Sequence, residues 1–348
     1  MAYEIYTPGH GLVTDSLIMH GIVRLYDVSE VERVGDRYRI LLNSVKPRRD
    51  VLSLLREELS IYFNTFYIAN TVNSSVLGKL IDSNVNISVR HVWMSYLEEA
   101  IDKAHFDELM SVYTQDHRDR FNEGRSKSKS LFTLFSSLSF IHGKFSQAKY
   151  SVEEKEYRVC ATCFSLANIG LIYGTIVFRY DSQDKSSVAM LTIIPADRMT
   201  REDLLLAQRF TRGSAIKLKA DLSLKAIILY TFSVGEVLFT TNANPLILAW
   251  KVENNHVQLR STGSEVLELN DILRKIAKIK LEYPAFPKLV LDLSKTEEGA
   301  TTLHRLADAI LTGSDPSVVL KEITMLARNG LLSRSIINDL GGLAKALE

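Results

Sequence analysis

Two apolar runs with a short polar stretch between them constrain this chain more than any other stretch. Gly170-Leu171-Ile172-Tyr173-Gly174-Thr175-Ile176-Val177-Phe178-Arg179-Tyr180 and Ser187 to Ile194 flank Asp181-Ser182-Gln183-Asp184-Lys185. Apolar runs of that length around a polar turn predict an antiparallel hairpin, with Tyr173 and Val177 on one face. Pro195 ends the second strand, because proline has no N–H to give a ladder. Alternation at Tyr38, Ile40 and Leu42 predicts another strand over 37–43, and residues 246–252 and 256–260 predict a second hairpin turning at Glu253-Asn254-Asn255.

Helical spacing fills much of the rest. Leu12, Asp15, Ser16, Met19 and Ile22 recur at helical intervals after Thr7-Pro8-Gly9-His10-Gly11, a turn that leaves backbone N–H groups free near His10. That loop serves either as a simple tight turn or as a surface contact to a phosphate or a partner. Further helices are expected over 51–67 with Asp50 as N-cap, over 75–82, and over 89–112. Another begins near residue 198, where Thr200 with Asp203 at N3 has the form of a capping box. A helix over 265–281 precedes Pro284 and Pro287, which break the chain before the apolar run Lys288 to Leu293. Beyond it, residues 301–311, 316–327 and 333–347 form short helices punctuated by Gly313, Gly330 and Gly341-Gly342.

The expected fold is therefore α+β, mixed helices and antiparallel sheet with a C-terminal helical bundle. Two domains are expected: a main body over 1–293 with a basic loop near 122–130, and a bundle over 294–348. The bundle serves as a docking surface for a partner or simply as a stabilising element.

With 42 basic and 41 acidic residues the net charge is only +1, so attraction to a polyanion has to come from local segregation. Three clusters provide it. Arg118, Arg120, Arg125, Lys127 and Lys129 cannot share a dry core. The Ser/Lys alternation around them has no apolar face, which predicts either a loop that tracks phosphates or an ordinary solvated one. Phe132, Phe135, Phe140 and Phe145 follow, interleaved with Lys144 and Lys149. They are core residues or, if exposed, stacking platforms for bases. Lys46, Arg48 and Arg49 flank Pro47 just before an expected helix N-terminus, where an anion is favoured. Arg209, Arg212, Lys217, Lys219 and Lys225 form the third cluster, and Lys217 and Lys219 project to one side of an extended segment. Spatial adjacency of the clusters would make a groove.

Two cysteines exclude a disulfide scaffold and fit a reducing interior. The N-terminus lacks the pattern of a signal peptide, and no 18-residue apolar window suggests a membrane span, so a cytoplasmic location is expected. Cys160 and Cys163 form one CxxC, open to three readings: structural burial, a redox pair, or a metal shared with histidines. The histidines at 10, 20, 91, 105, 117, 142, 256 and 304 show no HExxH spacing. No catalytic, cofactor or metal residue is assigned. The enzyme alternative is a hydrolase using His10 or His20 with Asp15, although no phosphate loop or nucleophile arrangement accompanies them.

Tyr6-Thr7-Pro8-Gly9-His10-Gly11-Leu12, Cys160-Ala161-Thr162-Cys163-Phe164 with Leu166-Ala167-Asn168-Ile169-Gly170, and the helical tail together resemble the large subunit of the archaeal type I-A CRISPR interference (Cascade) complex. The resemblance runs across most of the chain. It implies a noncatalytic subunit near the 5′ end of a guide RNA, beside the handle-binding and backbone subunits. Such a subunit helps read the motif flanking a DNA target and open the duplex, while a separate helicase-nuclease cuts. Under this resemblance Lys46, Arg48 and Arg49 become phosphate contacts, and Arg125, Lys127 and Lys129 guide displaced DNA. Some large subunits carry a fuller cysteine metal set than the two cysteines here. A protein-interaction scaffold without nucleic-acid contact is the other alternative.

Overall fold

The computed structural model describes residues 3–48, 52, 89–124, 130–134, 157–183, 185–212, 214–235, 243–254, 259–333, 336 and 340–347. The expected helices over 51–67 and 75–82 lie outside these apart from Leu52. So do Arg49, Arg125, Lys127, Lys129, Phe135, Phe140, Phe145, Lys144 and Lys149.

The described strands are β1 (Tyr3–Tyr6), β2 (Val28–Val34), β3 (Arg37–Leu42), β4 (Phe132–Thr133), β5 (Arg158–Val159), β6 (Thr175–Asp181), β7 (Ser186–Pro195), β8 (Arg198–Thr200), β9 (Ala215–Lys217), β10 (Pro245–Asn254) and β11 (Leu259–Glu268). The described helices are α1 (Leu12–Leu25), α2 (Val89–Lys103), α3 (Leu109–Val112), α4 (His117–Arg120), α5 (Ala161–Gly174), α6 (Arg201–Thr211), α7 (Leu224–Val234), α8 (Leu269–Glu282), α9 (Phe286–Leu293), α10 (Glu297–Thr312), α11 (Ser317–Arg328) and α12 (Leu340–Leu347). The fold is α+β, as its sequence pattern predicts.

The chain divides into two compact units. The first comprises residues 1–216 and 241–263, and the second 217–240 and 264–348. In the first unit an antiparallel sheet of order β1-β3-β2-β8 pairs Tyr3 with Leu42 and Glu32 with both Arg39 and Arg198. A second sheet has the order β11-β10-β7-β6-β9. Its β6–β7 hairpin matches Thr175 with Thr192 and Asp181 with Ser186, and β10 runs the length of β7 from Pro245 opposite Pro195 to Asn254 opposite Ser186.

Helices α1 and α5 cross at the centre of this unit. Almost every residue of both is buried, polar Asp15, Ser16, His20 and Asn168 included. A helix buried all round has no amphipathic stripe. That is why residues 170–174, expected as part of a strand, are instead the last turn of α5, and Tyr173 is a helical residue. Close approach is possible because Gly21 faces the Leu166 backbone and Gly170 faces that of Leu17.

Smaller departures have local causes. The helix expected over 89–112 stops at Lys103 and resumes as a 3-10 turn, Phe106–Glu108, followed by α3. Strand β11 runs on to Glu268, so the helix expected from 265 starts at Leu269. Pro287 sits in the first turn of α9, where its missing N–H costs nothing, so the apolar run near 288 is a helix. Thr200 caps α6 as predicted, in a complete capping box with Asp203.

The second unit is built from α7 to α12. Helix α10 buries Leu303, Leu306 and Ile310, and packs on α7 and α9. The boundary expected at 293/294 falls within this unit, whose contacts begin at Lys217.

Candidate nucleic-acid interface and buried histidine-cysteine site

Helix α6 presents Arg201 and Arg209 two turns apart, and Arg212 follows as its C-cap. Spacings of eight and three place all three on one side. They meet Arg24 from the end of α1 and Arg48 from the segment after β3 in a cleft of about 320 Å³. Tyr173 forms part of its wall, with the Arg24 guanidinium 4.2 Å and the Arg212 guanidinium 5.4 Å from the ring centroid. Contacts of that kind hold guanidiniums in place without neutralising them. Asp27 bonds Arg48 at 3.3 Å and lies 3.6 Å from Arg201. Five guanidiniums thus converge on one cleft.

This cleft brings together Arg48 and Arg212, which belong to separate sequence clusters. Lys46 is exposed beside the same segment, and Lys217 and Lys219 are exposed in the second unit. Arg118 and Arg120 do not line the cleft. Although exposed, they brace the backbone, Arg118 donating to the Gly9 carbonyl at 3.1 Å and Arg120 to the Ser111 carbonyl at 2.6 Å. Phe132 is core, packed on Tyr96 and Phe164. Arg24 and Arg201 were not among the expected site residues. Arg201's helical spacing to Arg209 was a usable signal, whereas Arg24 reaches the cleft only through packing.

A second site lies in the first unit, away from solvent. Asp15 accepts hydrogen bonds from Gly9 N–H and Gly11 N–H, both at 3.1 Å, so the loop N–H groups expected to be free are used internally. Burial pushes the Asp15 carboxyl up to about 6. The loop aims His10 inward, with Nδ1 2.9 Å from the Tyr157 hydroxyl and Nε2 3.0 Å from Glu123 Oε2. Both Asp15 oxygens thus hold the loop, and His10 turns its two ring nitrogens toward Tyr157 and Glu123 rather than toward Asp15.

Glu123 is brought in by a tight turn. Asn122 and Gly124 have φ of 52° and 107°, and Gly124 exchanges two 2.7 Å backbone hydrogen bonds with Arg158. Glu123 Oε1 accepts the Cys160 N–H at 2.6 Å, and Oε2 lies 3.1 Å from His117 Nε2. Cys160 is the N-cap of α5, its sulfur accepting the Cys163 N–H at 3.4 Å. Cys163 Sγ is 3.3 Å and Cys160 Sγ 3.9 Å from His117 Nε2.

The electrostatics follow from this geometry. Burial works against a charged His117, but Cys160 and Glu123 outweigh it and raise the imidazole to about 10. Burial works against ionised Glu123 too, yet His10 and His117 hold its carboxyl well below the usual range. A side-chain hydrogen bond with Cys163 outweighs burial and lowers the Cys160 thiol to about 7, while burial pushes Cys163 well up. Sequence reasoning singled out His10 and the CxxC separately. It placed Glu123 in a mobile basic loop, because nothing local marks a carboxylate that is buried by a contact 37 residues away.

A family model described as CRISPR-associated protein (Cas_Csa4) matches residues 3–340. The chain belongs to this Cas_Csa4 family. It is also 28% identical to the CRISPR system associated protein Cas8 of Thermoproteus tenax, in an alignment covering 99% of this chain and 98% of that protein. This Cas_Csa4 chain is a large subunit of a type I-A CRISPR interference complex, and so works with other Cascade subunits and a guide RNA. Among its described residues no helix is long and apolar enough to cross a membrane.

Proposed function

We propose that this Cas_Csa4 protein acts without chemistry of its own, holding target DNA at the motif flanking the guide-paired segment and assisting duplex opening. The observation that carries this reading is the cleft where Arg24, Arg48, Arg201, Arg209 and Arg212 converge. Guanidiniums fork onto phosphate oxygens and tolerate any base sequence, which suits a subunit that positions a duplex while the guide RNA reads sequence by pairing. Lys46 and Arg49 would extend the contact, Lys217 and Lys219 would offer phosphate contacts of their own in the second unit, and the basic stretch at Arg125, Lys127 and Lys129 would guide the displaced strand. The partners in this reading are the handle-binding and backbone subunits, guide RNA, target DNA and a separate helicase-nuclease, in the cytoplasm.

The test is salt-dependent binding of labelled duplex to the complex reconstituted around wild-type protein or the Arg209→Ala/Arg212→Ala double variant, with flanking bases varied. The reading expects weaker binding for the variant and a log–log salt slope shallower by up to about 2, since each lost phosphate contact removes roughly 0.9. Equal affinity and equal slope in complexes of equal composition would leave a protein-interaction scaffold as the better account.

A further inference from the structure

His117 Nδ1 lies 2.5 Å from the Val112 carbonyl oxygen, which can only accept, so that nitrogen bears the proton. In the neutral ring Nε2 is then a lone pair, and it points at Glu123 Oε2 and Cys163 Sγ, 3.1 and 3.3 Å away. His10 Nε2 approaches the same carboxylate oxygen to 3.0 Å. Even so, neither His10 Nε2 nor Glu123 Oε2 has a hydrogen-bond partner of acceptable geometry among the described residues. The side chains of His10, His117 and Glu123 are 0–1% exposed and Cys163 is 0% exposed, so the cluster is closed to bulk solvent.

The four donor atoms all lie within 4.8 Å of one another. Tetrahedral zinc, with nitrogen at about 2.0 Å and sulfur at about 2.3 Å, sets neighbouring donors roughly 3.3–3.6 Å apart. The separations of 3.0, 3.1 and 3.3 Å are at that spacing or a few tenths short of it.

We propose that His10 Nε2, His117 Nε2, Glu123 Oε2 and Cys163 Sγ bind one divalent transition-metal ion of the zinc class. Imidazole and thiolate donors select zinc-like ions over magnesium or calcium. The outer shell is already in place. Val112 accepts from His117 Nδ1, Tyr157 faces His10 Nδ1, and Glu123 Oε1 accepts from Cys160 N–H. Such partners fix the ring orientation of metal-bound histidine. Cys160 Sγ stays outside the donor set as the N-cap of α5. A dication balances the carboxylate and the thiolate, and all four ligands close the site, so its role is structural. It ties together the loop before α1, the turn after α4 and the start of α5. Glu123 stands two residues ahead of Arg125, so the ion fixes the point from which the basic stretch departs.

The test uses the full chain, purified without a metal-affinity tag. Elemental analysis reads the metal content. Stripping with chelator and reloading with Zn²⁺ or Co²⁺ reads the melting temperature and the cobalt spectrum. The proposal expects a stoichiometric ion, a melting temperature higher by on the order of 5 °C with Zn²⁺, and a thiolate-to-cobalt charge-transfer band with tetrahedral d–d bands. That band disappears in Cys163→Ser and persists in Cys160→Ser. A wild-type protein that holds no metal and whose melting temperature ignores both ions would overturn it, and the cluster would be an imidazolium–carboxylate pair. A charge-transfer band lost in Cys160→Ser but kept in Cys163→Ser would overturn the donor set. Should Cys163→Ser fail to fold, the wild-type stoichiometry and melting shift still decide the matter.

Discussion

Gly170 packs its bare Cα against the carbonyl of Leu17, so closely that a methyl group built there would overlap the oxygen. Gly21 does the same against Leu166 on the reciprocal side, and together they let α1 and α5 cross backbone to backbone. Gly170→Ala therefore forces the helices apart rather than filling a gap. Overpacking of this kind costs about 1–3 kcal/mol, and backbone on both sides places the expected loss toward the upper end. Denaturant unfolding of wild type and variant checks it, with a lower midpoint at unchanged slope expected.

His20, buried in α1, places Nε2 2.9 Å from the Ile193 carbonyl and Nδ1 3.4 Å from the Gln208 amide nitrogen. Burial lowers its imidazole to about 4. The unfolded chain takes up the proton near the ordinary value of 6.5, so stability is full above that pH and is lost as pH falls from 6.5 toward 4. Asp15 opposes this: its raised carboxyl favours the folded state on acidification toward 4. Comparison with His20→Gln separates the two, since Asp15 is common to both proteins. The stability advantage of wild type over the variant should shrink by roughly 3 kcal/mol over that window. A pH-independent difference would show that His20 does not titrate as described.

Thr200 and Asp203 close a capping box on α6, the helix that presents Arg201 and Arg209. Thr200→Ala is expected to cost about 1 kcal/mol, while Thr200→Ser stays close to wild type. Thermal unfolding of the three proteins measures this.

Arg118 and Arg125 are seven residues apart but should behave differently. The Arg118 guanidinium holds the Gly9 carbonyl, next to the loop that aims His10. Arg118→Ala should lower stability by about 1 kcal/mol and leave the salt slope of DNA binding almost unchanged. On the proposed reading, replacing Arg125, Lys127 and Lys129 together by serine should make that slope shallower by up to about 2, at roughly 0.7 for each contact to a single strand. The pair of measurements separates a bracing arginine from a phosphate-binding set.

Removal of residues 294–348 takes away α10, whose Leu303, Leu306 and Ile310 are buried and which packs on α7 and α9. A chain ending at Leu293 should lose cooperative unfolding of its second unit, seen as a missing or broadened transition in calorimetry.

What the sequence discloses depends on whether an element has a solvent face. Helix α1 was legible from its spacing and the turn before it, β3 from alternation, and α6 from its capping box. Helix α5 was not, since Thr162 to Gly174 are all buried and a run without polar punctuation fits a strand equally well. Strand β2 is harder to read because only Val28 and Val31 of VSEVERV are buried, and Glu30, Glu32 and Arg33 break up the apolar alternation. The two sites are also legible to different degrees. Basic clusters announce themselves as composition, although which arginines share a cleft is a tertiary fact. The His10, His117, Glu123 and Cys163 cluster spans more than 150 residues of sequence, and only folding brings its members together.

The paired hydrogen bonds between Gly124 and Arg158, followed by β4 against β5 and the Leu134 to Tyr157 bond, pin both ends of the intervening chain. With the ends fixed, the entropy of closing that excursion grows only logarithmically with length, and doubling it costs about 0.6 kcal/mol. Leu134 and Tyr157 therefore stay paired at little extra cost when sequence is added between them. A peptide tag or a small fluorescent domain inserted between these two residues should leave the β4–β5 pairing and the buried cluster as they are.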